Sequence, residues 1–204
     1  MHADALLPAG QATPVPGRSP AGRLILVVGP SGAGKDSVLD WARARLASGP
    51  DASTVRFARR TITRPADAGG ERHIAVDREG FERLRAGGAF ALCWSANGHC
   101  YGIGREIRAW LEAGQTVVVS ASRAHLPEAL AAFPQAEVAL VTASTAVLRA
   151  RLAARGREAP GEIEARLARA TAFALPEGVA AAEIFNDGAL EDAGRSLLAL
   201  VTRA

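Results

Sequence analysis

Short, unbroken apolar runs set the rhythm of this chain, with helix-periodic stretches between them. Leu24-Ile25-Leu26-Val27-Val28, Thr116-Val117-Val118-Val119-Ser120 and Glu137-Val138-Ala139-Leu140-Val141-Thr142 are continuous rather than alternating. That is the mark of strands covered on both faces. After the first run, Val38, Leu39, Trp41, Ala42 and Leu46 recur at helical spacing. A second helix is predicted over Ile107–Leu111, stopped by Gly114, and a third from about Leu126 to Phe133. Strand and helix alternating in this way predict an α/β fold of parallel, right-handed βαβ units, a parallel-sheet core with helices on both faces.

The segments between these units read differently. Thr54 to Pro65 is a single extended stretch of β-formers with a high density of Arg, broken by Pro65 and then by Ala68-Gly69-Gly70. His73–Val76 is predicted as a short strand, and Asp77 as the N-cap of a short helix running through Leu84. Phe90 to Gly102 reads as a hairpin turning at Asn97-Gly98, a strong two-residue turn signal. The last third is helical: Val147–Arg155 ending at Gly156, then Glu162–Phe173. A final strand over Ala182–Asn186 and a helix over Leu190–Val201 complete the chain. Residues 1–21 carry Pro8, Pro14, Pro16 and Pro20 without periodicity and are expected to be a disordered extension. Residues 22–204 are expected to be one domain.

Composition narrows the class. Of 204 residues 49% are apolar and 22% charged, as in soluble globular proteins. No apolar run approaches the roughly 18 residues of a membrane span, and the first residues lack an export signal, so a cytoplasmic location is expected. Cys93 and Cys100 have no His or Cys partners at ligand spacing, which favours reduced thiols over a zinc site. The net charge of +3, carried almost entirely by Arg, is weak evidence for nucleic-acid binding and suits an anionic small molecule.

Candidate chemistry centres on Gly29-Pro30-Ser31-Gly32-Ala33-Gly34-Lys35-Asp36-Ser37, set between the first strand and the first helix. Glycines let the backbone curl so that successive N–H groups face phosphate oxygens, the helix N-terminus assists, and Lys35 adds a cation. The plain alternative is a Gly-rich strand–turn–helix corner, but Gly29, Gly34 and Lys35 all fall where a P-loop requires them. One departure stands out. Asp36 occupies the place of the Ser or Thr that normally touches Mg²⁺, with Ser37 one residue later. A carboxylate is itself a hard oxygen ligand, so Asp36 and Ser37 are the candidate metal residues.

Two groups of arginines need a reading. In an extended chain Arg60 and Arg64 share a face, so with Arg59 they form either a solvated strand edge or a pocket for acceptor phosphates. Arg149, Arg151, Arg155, Arg157, Arg166 and Arg169 flank the Gly156 turn. They are either solvated helix faces or a hinged lid that excludes water and supplies cationic charge during phosphoryl transfer.

From about Arg23 to Arg203 the chain resembles the guanylate kinase superfamily of P-loop kinases. The resemblance rests on GPSGAGK at 29–35, Thr63-Arg64-Pro65, the F-x-x-x-W-x-x-x-G-x-x-Y-G pattern from Phe90 to Gly102, and Arg151-Leu152 with Arg155-Gly156. It is most similar to the ribose 1,5-bisphosphate phosphokinases of phosphonate catabolism, through Lys35-Asp36-Ser37, Ile62 to Ala66, Ser122 to Pro127 and Arg155 to Glu158. This resemblance implies a P-loop kinase with a small acceptor-binding β subdomain over about 54–102 and a helical lid over about 150–170.

In true guanylate kinases two acids read the base. By the same alignment Cys93 and Ser122 stand in those places, and His73 replaces an early Tyr while Tyr101 is retained. A guanine reader needs acceptors for the base's N–H groups, because an unpaired buried donor costs roughly 1–3 kcal/mol. Loss of those acceptors with Arg kept or gained fits an acceptor with two phosphates and no base.

The resulting expectation is transfer of the γ-phosphoryl of ATP to the 1-phosphate of ribose 1,5-bisphosphate, with Mg²⁺ as cofactor. ATP is assigned to residues 29–37, and the acceptor to Arg59, Arg60, Arg64, His73, Tyr101 and Ser122. Lys35, Arg151, Arg155 and Arg166 are assigned to the transferring group. The expected partners are these small molecules, with no nucleic acid and no membrane, and a homodimer is allowed. The competing readings are a guanylate kinase with an altered base pocket, a non-catalytic guanylate kinase-like interaction module, and a nucleic-acid binder. An intact Gly34-Lys35 speaks against the module.

Overall fold

Strand β1 (Leu24–Val28) is buried along its whole length, and its side chains divide between two apolar layers. Ile25 and Val27 join one core with Val38, Leu39, Ala42, Leu152, Ile163, Leu167 and Leu197. Leu24, Leu26 and Val28 join the other with Ile103, Ile107, Leu126 and Ala129. This is the period-two alternation of a strand that meets oil on both faces. The structure, a computed structural model, describes residues 22–66, 71–156 and 160–203; the extension expected over residues 1–21 lies outside them.

The elements follow in the order β1, α1 (Lys35–Leu46), β2 (Val55–Phe57), β3 (Arg60–Ile62), β4 (Ile74–Ala75), α2 (Arg78–Ala86), β5 (Phe90–Ala96), β6 (His99–Gly104), α3 (Glu106–Glu112), β7 (Thr116–Ser120), α4 (Leu126–Ala132), β8 (Glu137–Thr142), α5 (Thr145–Arg155), α6 (Pro160–Thr171), β9 (Ala181–Phe185) and α7 (Leu190–Thr202). The core sheet runs β2-β7-β1-β8-β9, and every pairing in it is parallel. The βαβ expectation is met, with β1 at the centre. The loop after β1 therefore opens at the carboxyl edge of the sheet, where open α/β folds bind ligands.

The arginine-rich stretch is not one strand. Val55–Phe57 belongs to the core sheet, and Arg60–Ile62 belongs to a second sheet of order β4-β3-β6-β5. The break at Ala58-Arg59 is tertiary in origin. Ala58 is buried against the core layer and its N–H still bonds Val118 O at 2.9 Å, after which β3 pairs with β6 instead. The β5–β6 hairpin turns at Asn97-Gly98, with φ of 49° and 77°, the left-handed pair that a tight hairpin demands. Asp77 caps α2 as expected, accepting from Gly80 N at 2.6 Å.

Helices α5 and α6 form an antiparallel pair over the loop that follows β1. Ser144 caps α5 and Gly156 ends it in the left-handed conformation. Leu148 and Leu152 of α5 and Ile163 and Leu167 of α6 sit in the same core as Ala33. Across the outer face Arg149 Nε and Nη2 reach the Glu164 carboxylate at 2.9 and 3.0 Å.

Candidate active site

The glycine loop has the geometry that its sequence required. Gly34 is left-handed at φ 82°, and a Cβ there would lie 2.4 Å from the Asn186 amide nitrogen. A Cβ on Gly29 would lie 2.1 Å from Val141 O. Both positions demand glycine. No side chain caps the N-terminus of α1, so its first N–H groups and the positive end of the helix are presented to an anion. Lys35 is the only lysine in the chain. Burial lowers its pKa, chiefly against the opposing pull of Asp36, with Arg60 adding to the lowering.

A cleft of about 600 Å³ opens beside this loop. Its cations are Lys35, Arg60, Arg64, Arg123, Arg166 and Arg169, and its carboxylates are Asp36 and Glu71. Glu71 is engaged already. Its carboxylate takes both Nε and Nη2 of Arg60, the former at 2.6 Å, and lies 3.7 Å from Arg64 Nη2. Arg64 Nε and Nη2 are buried without a hydrogen-bond partner among the described residues. Arg60 also lies over the Tyr101 ring at 5.5 Å and approaches Asp36 at 3.7 Å. Arg60 and Arg64 do face the same space. They meet through the turn after β3, not through strand alternation, because β3 ends at Ile62.

The opposite wall comes from the hairpin and from the turn after β7. Trp94 pairs across the strands with Tyr101, and their rings stack at 5.4 Å. His125 stacks on the same indole at 5.3 Å, and burial holds its pKa down. Ser122 and Arg123 line the cleft beside them. From α6, Arg166 donates to Ser31 Oγ at 3.0 Å, tying that helix to the glycine loop.

Not every expected residue reaches the cleft. His73 is buried, and both its ring nitrogens meet backbone carbonyls, Nδ1 that of Glu71 at 3.1 Å and Nε2 that of Arg64 at 3.0 Å. It sits between Arg64 and Glu71 and does not line the cleft. Arg59 turns to the other side of the chain, with Nη2 3.4 Å from His73 O. Arg151 faces an adjoining pocket formed with Gly32, Gly34, Ser37 and Asn186, where its Nη1 is buried without a partner among the described residues. The side chain of Arg155 lies outside the described residues, as do Arg157 and Glu158 of the expected hinge.

Sequence reasoning passed over Glu71, Arg123, Trp94 and Asn186 as site residues. Asn186 is buried and donates to Ala33 O at 2.8 Å, fixing the glycine loop from the end of β9. Its signal was the Asn186-Asp187-Gly188 turn after the last strand. Arg123 lay in view inside the Ser122–Pro127 segment.

The residues expected to hold Mg²⁺ lie at the glycine loop. Asp36 and Ser37 border a small pocket at the loop with Pro30, Ser31 and Lys35, and carboxylate and hydroxyl oxygens suit this hard cation.

Comparison with known proteins places this geometry. No protein-family model matches the sequence. A protein of Burkholderia pseudomallei named ribose 1,5-bisphosphate phosphokinase PhnN is 51% identical over 181 residues, covering 89% of this chain and 96% of the relative. Proteins of the same name from Chromobacterium violaceum and Desulfomicrobium baculatum are 52% and 48% identical, covering 87% and 88% of this chain and 92% and 94% of theirs. Among solved structures, a guanylate kinase from Anaplasma phagocytophilum superposes with a TM-score of 0.63 at 15% identity over 89% of this chain and 85% of its own, which shows a shared fold. Identity near one half along almost the whole length of these relatives, on a guanylate kinase-like frame, means that the chain belongs to the ribose 1,5-bisphosphate phosphokinase family.

Proposed function

We propose that the chain transfers the γ-phosphoryl group of ATP to the phosphate on C1 of ribose 1,5-bisphosphate, giving 5-phosphoribosyl 1-diphosphate and ADP. The observation that carries this reading is the charge of the cleft: among the described residues six cations face two carboxylates, one of which is held by Arg60 and Arg64. Such a surface suits an acceptor with two phosphates and offers little to the N–H donors of a nucleobase.

An oxygen of the acceptor phosphate attacks the γ-phosphorus, the bond to the β-bridging oxygen breaks, and ADP leaves. The nucleophile is already an anion, so no general base is required, and catalysis is positioning and charge neutralisation. Lys35 and the backbone N–H groups of residues 32–37 bind the β- and γ-phosphates. Arg60 and Arg64 hold the acceptor phosphate, with Tyr101 and Ser122 shaping its pocket; the unpartnered donors of Arg64 gain acceptors when it binds. Arg166, already on Ser31, and Arg151, beside Gly34, approach the transferring group from α6 and α5. Asp36 and Ser37 would hold Mg²⁺, which would supply charge neutralisation for the phosphates of the donor.

The small sheet then acts as the acceptor-binding subdomain and α5–α6 as the lid. The same reading makes this a cytoplasmic enzyme of phosphonate breakdown. ADP release measured with Mg²⁺ and ATP, comparing ribose 1,5-bisphosphate with GMP as acceptors, tests it. Turnover with the sugar bisphosphate supports it, and turnover with GMP alone overturns it.

A further inference from the structure

The cations of the cleft fall into two groups. Lys35, Arg60 and Arg64 stand at the glycine loop with both carboxylates among them, and Arg166 joins them through Ser31 Oγ at 3.0 Å. Arg123, from the turn after β7, and Arg169, from the last turn of α6, stand together without an acidic partner among the described residues. Arg123 is half-buried, with the Phe173 ring 4.7 Å from its guanidinium carbon and Ala170 O 3.5 Å from Nη1. Burial lowers its pKa, and the nearby charge of Arg169 lowers it further. Two guanidinium groups gathered at one end of a cleft without a counter-charge repel each other, and a dianion between them relieves the cost.

The acceptor assigned above has two phosphates, and only one can present an oxygen to the γ-phosphorus at Lys35. We propose that Arg123 and Arg169 form the subsite for the second, non-reacting 5-phosphate of the acceptor. Phe173 backs the Arg123 guanidinium there, and the stacked Trp94 and Tyr101 line the passage between the two phosphate sites. The proposal rests on the acceptor being ribose 1,5-bisphosphate, and it explains how a cleft without base-reading carboxylates discriminates among sugar phosphates: it measures the separation of two dianions.

The test compares kcat/KM for ribose 1,5-bisphosphate with that for ribose 1-phosphate, in the full-length wild type and in the Arg123→Met and Arg169→Met variants, with Mg²⁺ and ATP. Thermal stabilisation by ATP checks that each variant keeps a folded glycine loop. The expected result is a wild-type preference for the bisphosphate that falls by about 30-fold or more in Arg123→Met, as loss of a charged hydrogen bond implies, with partial recovery in Arg123→Lys. An unchanged preference, with both acceptors slowed equally, overturns the subsite and moves Arg123 to the transferring group. A wild type that does not turn over ribose 1,5-bisphosphate at all overturns the functional reading itself, and the subsite with it.

Discussion

Glu71 grips Arg60 through both Nε and Nη2, and both partners are largely withdrawn from solvent, with side chains 14% and 11% exposed. A forked pair of this kind fixes the plane of the guanidinium. The same carboxylate stands between Arg60 and Arg64, lowering the repulsion between the two cations. His73 holds the loop that presents it, by bonding the Arg64 and Glu71 carbonyls.

If Arg60 and Arg64 bind the acceptor as proposed, Glu71 is a positioning residue for it. Glu71→Gln keeps the shape and loses the charge, and kcat/KM for the acceptor is expected to fall about 10-fold, mostly through KM. The KM for ATP should hold. Steady-state kinetics with each substrate varied separately checks this; tighter acceptor binding in the variant would make Glu71 a brake instead.

Lys35 closes the glycine loop as the only lysine of the chain. Lys35→Met is expected to lower kcat by about 10³-fold, the scale of removing one preorganised cation or donor from a transition state. Its stability should move the other way. A lysine whose folded pKa is lowered binds fewer protons folded than unfolded, so it costs stability below its lowered pKa and that cost fades as pH rises towards its ordinary value. The variant should melt above the wild type at neutral pH, with the gap closing in alkali. An ATP-directed acylating reagent should modify a single lysine peptide of the wild type, and excess ATP should protect it.

Asp36 tests the altered metal corner of the loop. Asp36→Asn is expected to raise the Mg²⁺ concentration for half-maximal rate several-fold while leaving the acceptor preference intact. A magnesium titration of initial rates decides it, and an unchanged midpoint removes Asp36 from the metal site.

Glu137 ties the start of β1 to the end of α7, away from the cleft. Arg23 Nε donates to its carboxylate at 2.7 Å, and Arg203 reaches the other oxygen. The Arg23 hydrogen bond holds the Glu137 pKa below the usual carboxylate range, in spite of partial burial. A depressed carboxylate pKa adds stability above the ordinary value that is lost as pH falls through the depressed one. Glu137→Gln should cost about 1 kcal/mol near pH 7, since the group is partly exposed and screened. Wild type and variant melting curves should converge as the pH falls below about 4.

Features decided within a few residues were legible in the sequence. The run Leu24–Val28, the glycine spacing of 29–34 and the helix from Lys35 are set by local pattern, and so are the Asp77 cap and the Asn97-Gly98 turn. Features decided by what meets across the fold were not. Thr54 to Pro65 reads as one strand because its β-propensity is continuous, yet pairing with β7 on one side and β6 on the other divides it at Ala58-Arg59. His73 looks like a ligand in one dimension, but its ring nitrogens lie against backbone carbonyls two and nine residues away. Glu71 and Arg123 gain meaning only from partners brought by loop closure and by α6.

The central claim is chemical, and the most direct measurement watches the bond form. Phosphorus NMR of the reaction with ATP, Mg²⁺ and ribose 1,5-bisphosphate should show the 1-phosphate resonance give way to two mutually coupled diphosphate signals on the sugar, as ADP accumulates and the 5-phosphate signal persists. ADP accumulating without that coupled pair, or the pair appearing only when GMP replaces the sugar bisphosphate, would contradict the account.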